Sequence, residues 1–298
     1  MSRHGRLQAA ALCLMLCVGA ATASAQEGGA SIPEIARGAR PMGMGEAFTA
    51  NASGNGAIYH NPAGVSSTQM FAIEGAYALI PGLNAFNISV VDSKLNQNLS
   101  AGLSYSYVLT TEDDSQLQGH DARLVLGSRP HPDVVLGIGG RYLTFKDKDL
   151  ELLEGFTLDL GAIYRITQGV FIGVAGNNLL DVCNGDKDNS CPADAAPRIL
   201  RGGLAFGSSL GFQLSADAQA RLDGDEVQMV WASGLELLIQ QLVALRGGYR
   251  YDQAADAHLL TGGLGIKSWQ FGMDLSYQHN LQSDDYLFSA AIQLYPNL

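Results

Sequence analysis

The chain carries little charge: 16% of its 298 residues are Asp, Glu, Lys or Arg, against ~25% in an average soluble domain. Proline is scarce, with 9 residues, and the 36 glycines follow no three-residue period, which excludes collagen-like and low-complexity chains. Basic residues are outnumbered, 18 against 29 acidic, for a net charge of −11. With so few cations to neutralise phosphates, nucleic acid is not the main partner. Beyond the first ~25 residues, no apolar run reaches the ~20 residues that a membrane-crossing helix needs. Yet 47% of the residues are hydrophobic. Two classes remain, a soluble all-β protein and an outer-membrane barrel, whose hydrophobicity alternates instead of running on.

The first residues read as an address. Arg3, His4 and Arg6 form a basic start, Leu7 to Ala21 is apolar, and Ala23-Ser24-Ala25 has the form of an A-x-A cleavage site. These are the parts of a secretory signal peptide over residues 1–25. Cys13 and Cys17 lie inside it, preceded by Leu12 and Leu16 instead of the small residues of a lipoprotein signal. The mature chain then begins near Gln26, with 16 basic and 29 acidic residues and a net charge of −13.

Two cysteines remain, Cys183 and Cys191, on either side of a polar, turn-forming segment. In an exported chain, this pair is most simply a loop disulfide. A metal site is the alternative, because Asp181, Asp186, Asp188 and Asp194 crowd the same loop. Their spacing lacks the Asp-x-Asp-x-Asp-Gly…Glu pattern of a calcium loop. No metal ligand set and no cofactor is assigned.

From Thr68 onward, segments of ~10 residues alternate apolar and polar between turn residues. In the segment Trp269 to Gln278, Trp269, Phe271, Met273, Leu275 and Tyr277 fall on one side, and Gln270, Gly272, Asp274, Ser276 and Gln278 on the other. A period of 2 separates these sets; the helical period of 3.6 does not. Phe212 to Arg221, Phe156 to Arg165 and Val243 to Tyr251 repeat the pattern. The segments fall near 69–79, 84–92, 98–109, 119–129, 134–145, 155–166, 170–179, 199–207, 211–222, 226–238, 243–251, 257–267, 269–280 and 286–295, fourteen in all. An even number suits a closed, all-β, antiparallel transmembrane barrel.

Loop lengths point the same way. Connections near 94–97, 129–133, 167–169, 208–210 and 268 are short, whereas 111–118, 146–154, 180–198 and 281–285 are longer and more acidic. Short periplasmic turns and long outer loops are the barrel rule, which also places the N-terminus on the periplasmic side. Tyr77, Tyr105, Tyr107, Tyr142, Tyr164, Tyr249, Tyr251, Tyr277 and Tyr286 fall near strand ends, as in an interfacial aromatic girdle. The opposite polar faces carry Arg123, Arg141, Asp159, Arg165, Asp217, Arg221, Arg246, Arg250 and Asp274. As lumenal charges, these pair with each other, hold an inserted segment or set selectivity.

Residues 26–67 do not alternate. They are rich in small residues, with too few bulky apolar groups to form a core of their own. They read as an N-terminal plug packed against the wall of a barrel spanning 68–298. The run Gly38 to Phe48, which includes Gly43, Met44 and Gly45, and the run Ala57 to Gly64, with Asn61, Pro62, Ala63 and Gly64, resemble the start of the FadL/PorV superfamily of outer-membrane barrels. Leu245 to Arg250, Gly262 to Ile266 and Met273 to Tyr277 are similar to its PorV/PorQ branch. The resemblance implies a fourteen-stranded barrel with an inward N-terminal segment. It implies a non-enzymatic, PorV-like accessory in protein export or surface assembly, with secretion-system or cargo proteins as partners beside membrane lipid and lipopolysaccharide. The alternative is a FadL-like channel for passive uptake of small hydrophobic molecules. Gly207-Ser208-Ser209-Leu210-Gly211 matches G-x-S-x-G but lies in a strand–strand turn, not a strand–turn–helix elbow, so no catalytic residue is assigned.

Overall fold

A computed structural model of the protein describes residues 38–80, 82–96, 98–110, 117–148, 150–182, 196–208, 211–222 and 226–296. The signal peptide with its cleavage site, residues 26–37, and the cysteine pair Cys183 and Cys191 lie outside the described residues.

The alternating segments form fourteen strands: β1 (Phe71–Ile80), β2 (Leu83–Asp92), β3 (Leu99–Thr110), β4 (Leu117–His131), β5 (Val134–Asp147), β6 (Leu150–Thr167), β7 (Val170–Asn177), β8 (Ile199–Gly207), β9 (Phe212–Arg221), β10 (Gln228–Ile239), β11 (Val243–Asp252), β12 (Ala257–Lys267), β13 (Phe271–Asn280) and β14 (Tyr286–Leu294). Each pairs antiparallel with its sequence neighbours, and β1 pairs with β14, from Ile73↔Leu294 to Leu79↔Phe288. The sheet is therefore closed and has no free edge, which removes the unpaired backbone groups an open sheet would present. No helix among the described residues is long and apolar enough to cross a membrane.

Sidedness follows the period of 2. Along β13, Gly272, Asp274 and Ser276 are inward and buried, whereas Phe271 and Tyr277 are exposed on the outer face. The outward positions of β3, β4 and β11–β14 carry no Asp, Glu, Lys or Arg. A belt of Leu, Ile, Phe and Tyr thus faces outward, while the charged side chains of these six strands face inward, the inverse of a water-soluble sandwich.

Two expectations are corrected. The segment 146–154 is not a long loop: β5 runs to Asp147 and β6 begins at Leu150. Leu143, Phe145 and Leu153 are buried on the inner side, the register shifts between Phe145 and Lys146, and Lys148 sits at φ 55°. Trp269 does not begin β13. It projects from the turn 268–270 and is 92% exposed, because Ser268 already accepts the closing bond from Phe271. Loop asymmetry holds in part. One rim, the loop rim, carries the connections 111–116, 178–198, 222–227, 253–256 and 281–285 but also the two-residue connection 81–82; the other, the turn rim, carries 132–133, 168–169, 208–211, 240–242 and 268–270 but also the six-residue connection 93–98.

Inside the closed sheet lie residues 38–67, with two short helices, α1 (Ala39–Gly43) and α2 (Ala57–His60), and a 3-10 turn at Pro62–Ser66. Met44, Phe48, Ile58, Tyr59 and Val65 form a buried apolar cluster with wall residues Val91, Val125, Val135 and Ile163.

Candidate functional site

The interior is organised by how the inner segment meets the wall. Small residues allow backbone to approach backbone. At Gly137, a side chain would strike Pro62 and Ala63; at Gly234, it would strike Met44. Gly45 sits at φ +62° against the β10 and β11 backbones, a conformation glycine adopts at no steric cost. Asn61 has several partners: its Oδ1 accepts from Ala63 N at 3.1 Å, and its Nδ2 donates to Thr49 O at 2.9 Å and to the wall carbonyls of Ala162 and Val174 at 3.3 Å. The sequence runs Gly43-Met44-Gly45 and Asn61-Pro62-Ala63-Gly64 are therefore the seats of the inner segment.

Polar contacts add to this all around the wall. Asp217 of β9 accepts from the Phe48 and Thr49 amides at 2.9 and 2.8 Å. Arg40 donates to both carboxylate oxygens of Glu236 on β10, at 3.0 and 2.9 Å. Burial works against that guanidinium's charge, but Glu236 outweighs it and holds the group above its ordinary value. Arg250 of β11 pairs with Glu46 at 2.6 Å. Thr261 of β12 accepts from Gly45 N at 3.0 Å. Asn87 of β2 donates to the Tyr59 hydroxyl at 2.6 Å, and burial pushes that phenol up to about 12.

The lumenal charges divide into three groups. Arg123 and Arg141 share Asp121, at 2.9 and 2.7 Å, and Asp159 stands 3.8 Å from Arg123; this cluster is wall-to-wall. Arg246 joins Glu236 to Asp274, both at 2.6 Å, and Arg221 pairs with Asp252 at 2.9 Å. Asp217, Arg250 and, through Glu236, Arg246 anchor the inner segment. Arg165 stands apart: it pairs with Asp133 at 2.6 Å near the turn rim, with its side chain 41% exposed. Sequence reasoning missed the acids Glu46, Asp121, Glu236 and Asp252. The last three fall on inward positions of their strands, a signal that the alternation already held.

Polarity changes with depth along the inner wall. Following cross-strand partners, the row at the loop rim mixes Ile80, Leu83 and Leu117 with Thr110 and Asp147, and the row just below it is Ala78, Ala85, Val108, Gly119, Phe145 and Leu153. Two rows down stand Glu74, Ser89, Ser104, Arg123, Arg141 and Thr157. The Ala78 row packs with Leu143 and with Val182, which folds in after β7, as one buried apolar cluster. Towards the turn rim, a cavity of about 310 Å³ lies between Arg40, Glu74 and Tyr295, and another of about 840 Å³ between Ser53, Arg129 and Phe171; both reach Arg40, Ser53 and Thr68. On the outer face, a dent of about 430 Å³ lies over Gly75 and Ala290, rimmed by Tyr77, Phe86, Tyr105 and Tyr107.

No family model matches this chain, and no curated protein matches it. Solved structures do. The CymD monoaromatic hydrocarbon channel superposes with a TM-score of 0.68 at 12% identity, covering 88% of this chain and 98% of that one. The Pseudomonas putida toluene transporter TodX gives 0.66 at 12% identity, over 93% and 100%. The Ralstonia pickettii toluene transporter TbuX gives 0.64 at 12% identity, over 87% and 98%. At these identities the likeness is one of fold: a closed fourteen-stranded barrel shared with outer-membrane channels of the FadL type.

Proposed function

We propose that the protein is an outer-membrane channel for small hydrophobic molecules. One observation carries this reading: the inward-facing row just below the loop rim, Ala78, Ala85, Val108, Gly119, Phe145 and Leu153, is apolar. Val108, Phe145 and Leu153 are 4, 3 and 2% exposed and face the interior. A barrel lumen that conducts water is lined with polar groups, and each apolar Å² turned to water costs ~25 cal/mol. An apolar inner wall is stable where it packs on itself or on an apolar guest.

The Arg123, Arg141, Asp121 and Asp159 cluster lies directly beneath this row, and below it residues 38–67 fill the interior. An uncharged solute has no reason to cross that layer, since opening it would leave paired charges unpaired. The wall between β14, β1 and β2 offers the shorter way out. There, Ala76, Ala78 and Ala85 face in, Gly75 and Ala290 face out, and the dent lies over them. We assign the loop rim to the outside, the apolar row to solute capture and this stretch of small residues to release into the membrane. The similarity to CymD, TodX and TbuX supports the hydrophobic-channel alternative. The export-accessory reading has no counterpart among those three, and no partner surface among the described residues argues for it.

The test is uptake of a radiolabelled monoaromatic hydrocarbon by cells carrying or lacking the protein. Ala85→Glu, which puts a carboxylate in the apolar row, should lower uptake about tenfold, the scale of an unpaired polar group in an apolar site, while the barrel still assembles. Uptake indifferent both to the protein and to this substitution refutes the channel.

A further inference from the structure

On the outer face of the wall, one side-chain constellation is built twice and varied once. In β3, Tyr105 and Tyr107 point outward, and His120 of β4 lies across from Tyr107. The Tyr105 hydroxyl meets His120 Nδ1 at 2.6 Å, and the Tyr107 ring lies 5.1 Å from the imidazole. In β11, Tyr249 and Tyr251 stand in the same relation to His258 of β12. Tyr251 is across from His258, the Tyr249 hydroxyl reaches Nδ1 at 2.5 Å, and the Tyr251 ring lies 4.7 Å away. In β13, His279 stacks with Tyr277 at 6.4 Å and 10°, with Tyr286 of β14 opposite it. All three imidazoles stand at the loop rim, on the arc that runs from β11 through the β14–β1 closure to β4.

We propose that these imidazoles form a headgroup belt that binds the phosphate groups of the lipids around the loop rim. The inference rests on the reading that this wall faces lipid with the loop rim outermost. The outward faces support it by what they lack. Across β3, β4 and β11–β14, the positions beneath the belt are almost all aliphatic, aromatic or small, and none is charged. A polar ring at the top of such a face stands where hydrocarbon gives way to headgroups, and amphipathic rings are favoured there. Where the tyrosine hydroxyl donates to Nδ1, the ring hydrogen resides on Nε2. One nitrogen is then satisfied inside the protein, and an N–H donor is left for an acceptor outside it. The two tyrosines fix the ring so that little freedom is lost on binding. Two nearby carboxylates are occupied locally: Asp256 accepts from Tyr251 at 3.2 Å and Asp285 from Ser283 at 2.6 Å. Lipid phosphate is the acceptor at this depth that forms the stronger, charge-assisted hydrogen bond.

The experiment is native mass spectrometry of the full-length mature protein, released from micelles containing bis-phosphorylated lipid A, enzymatically dephosphorylated lipid A or inorganic phosphate. Wild type should retain the phosphorylated lipid. The triple variant His120→Phe, His258→Phe, His279→Phe should retain it about tenfold less, the scale of a lost charge-assisted hydrogen bond. Each single variant should lose part of this, which keeps the test open if the triple variant folds poorly. Equal retention by variant and wild type, equal retention of dephosphorylated lipid, or binding of inorganic phosphate alone overturns the belt. In a Trp269→Phe background, Trp231, outward on β10 and 36% exposed, reports the premise separately. Brominated lipids should quench it in that background with or without the histidine substitutions; without quenching the lipid-facing reading fails, and the belt with it.

Discussion

Gly173→Ala offers the sharpest test of how residues 38–67 are held. Gly173 faces inward on β7, and a Cβ there would lie 2.5 Å from Thr49 O, 2.6 Å from Ala50 Cα and 2.7 Å from the Thr49 carbonyl carbon. Ordinary contacts begin near 3.4 Å, so the inner segment must shift by about 1 Å, and all three obstacles are backbone atoms. The same stretch is fixed from the other side by Asp217, which accepts from Phe48 N and Thr49 N at 2.9 and 2.8 Å, and by Asn61, which donates to Thr49 O at 2.9 Å. A shift of that size stretches at least one of these bonds beyond useful length. Overpacking and the loss of one hydrogen bond to a charged group together amount to ~2–4 kcal/mol of stability. Gly202, across from Val174 on the neighbouring strand, faces outward with nothing within 4 Å of its would-be Cβ. Gly202→Ala should change stability by less than ~0.5 kcal/mol. Urea unfolding of the two variants and wild type in the same detergent, followed by tryptophan fluorescence, compares them. If Gly173→Ala matches Gly202→Ala, the close seating of the inner segment is refuted.

Asp121→Asn removes the one carboxylate shared by Arg123 and Arg141; with two buried guanidinia under-compensated, urea unfolding should show a loss of ~3–5 kcal/mol, and Asp133→Asn, at the exposed Arg165 pair, should lose less than ~1 kcal/mol. The Tyr59 phenol, pushed up to about 12 by burial from an ordinary value of ~10, keeps its proton more tightly in the folded protein than in the unfolded one. Its contribution is therefore fully present below pH ~10 and is lost as pH rises towards ~12. Wild type should lose stability more steeply than Tyr59→Phe across that window, and parallel curves would show that Tyr59 plays no part.

What was legible in the sequence came from a rule with a single length scale. A strand with lipid on one side and an interior on the other must alternate with period 2, so the fourteen strands, their approximate bounds and the inward positions of Arg123, Asp217, Arg246 and Asp274 could all be read locally. The small-residue runs around Gly43-Met44-Gly45 and Asn61-Pro62-Ala63-Gly64 likewise announced a segment that packs backbone against backbone. Local reading failed where the outcome depended on a neighbour. The stretch 146–154 looked like an acidic loop until β5 and β6 extended through it, and Trp269 looked like a strand residue until the turn took it.

Charge partners were out of reach for a different reason. Arg40 meets Glu236 and Arg250 meets Glu46 across 196 and 204 residues of chain, and only closure of β1 onto β14, with the inner segment already inside, decides which inward acid stands opposite which base. The same holds for the depth at which the inner wall turns from apolar to charged. Each strand shows its own sequence of inward residues, but the row Ala78, Ala85, Val108, Phe145 and Leu153 exists only once the registers between strands are set.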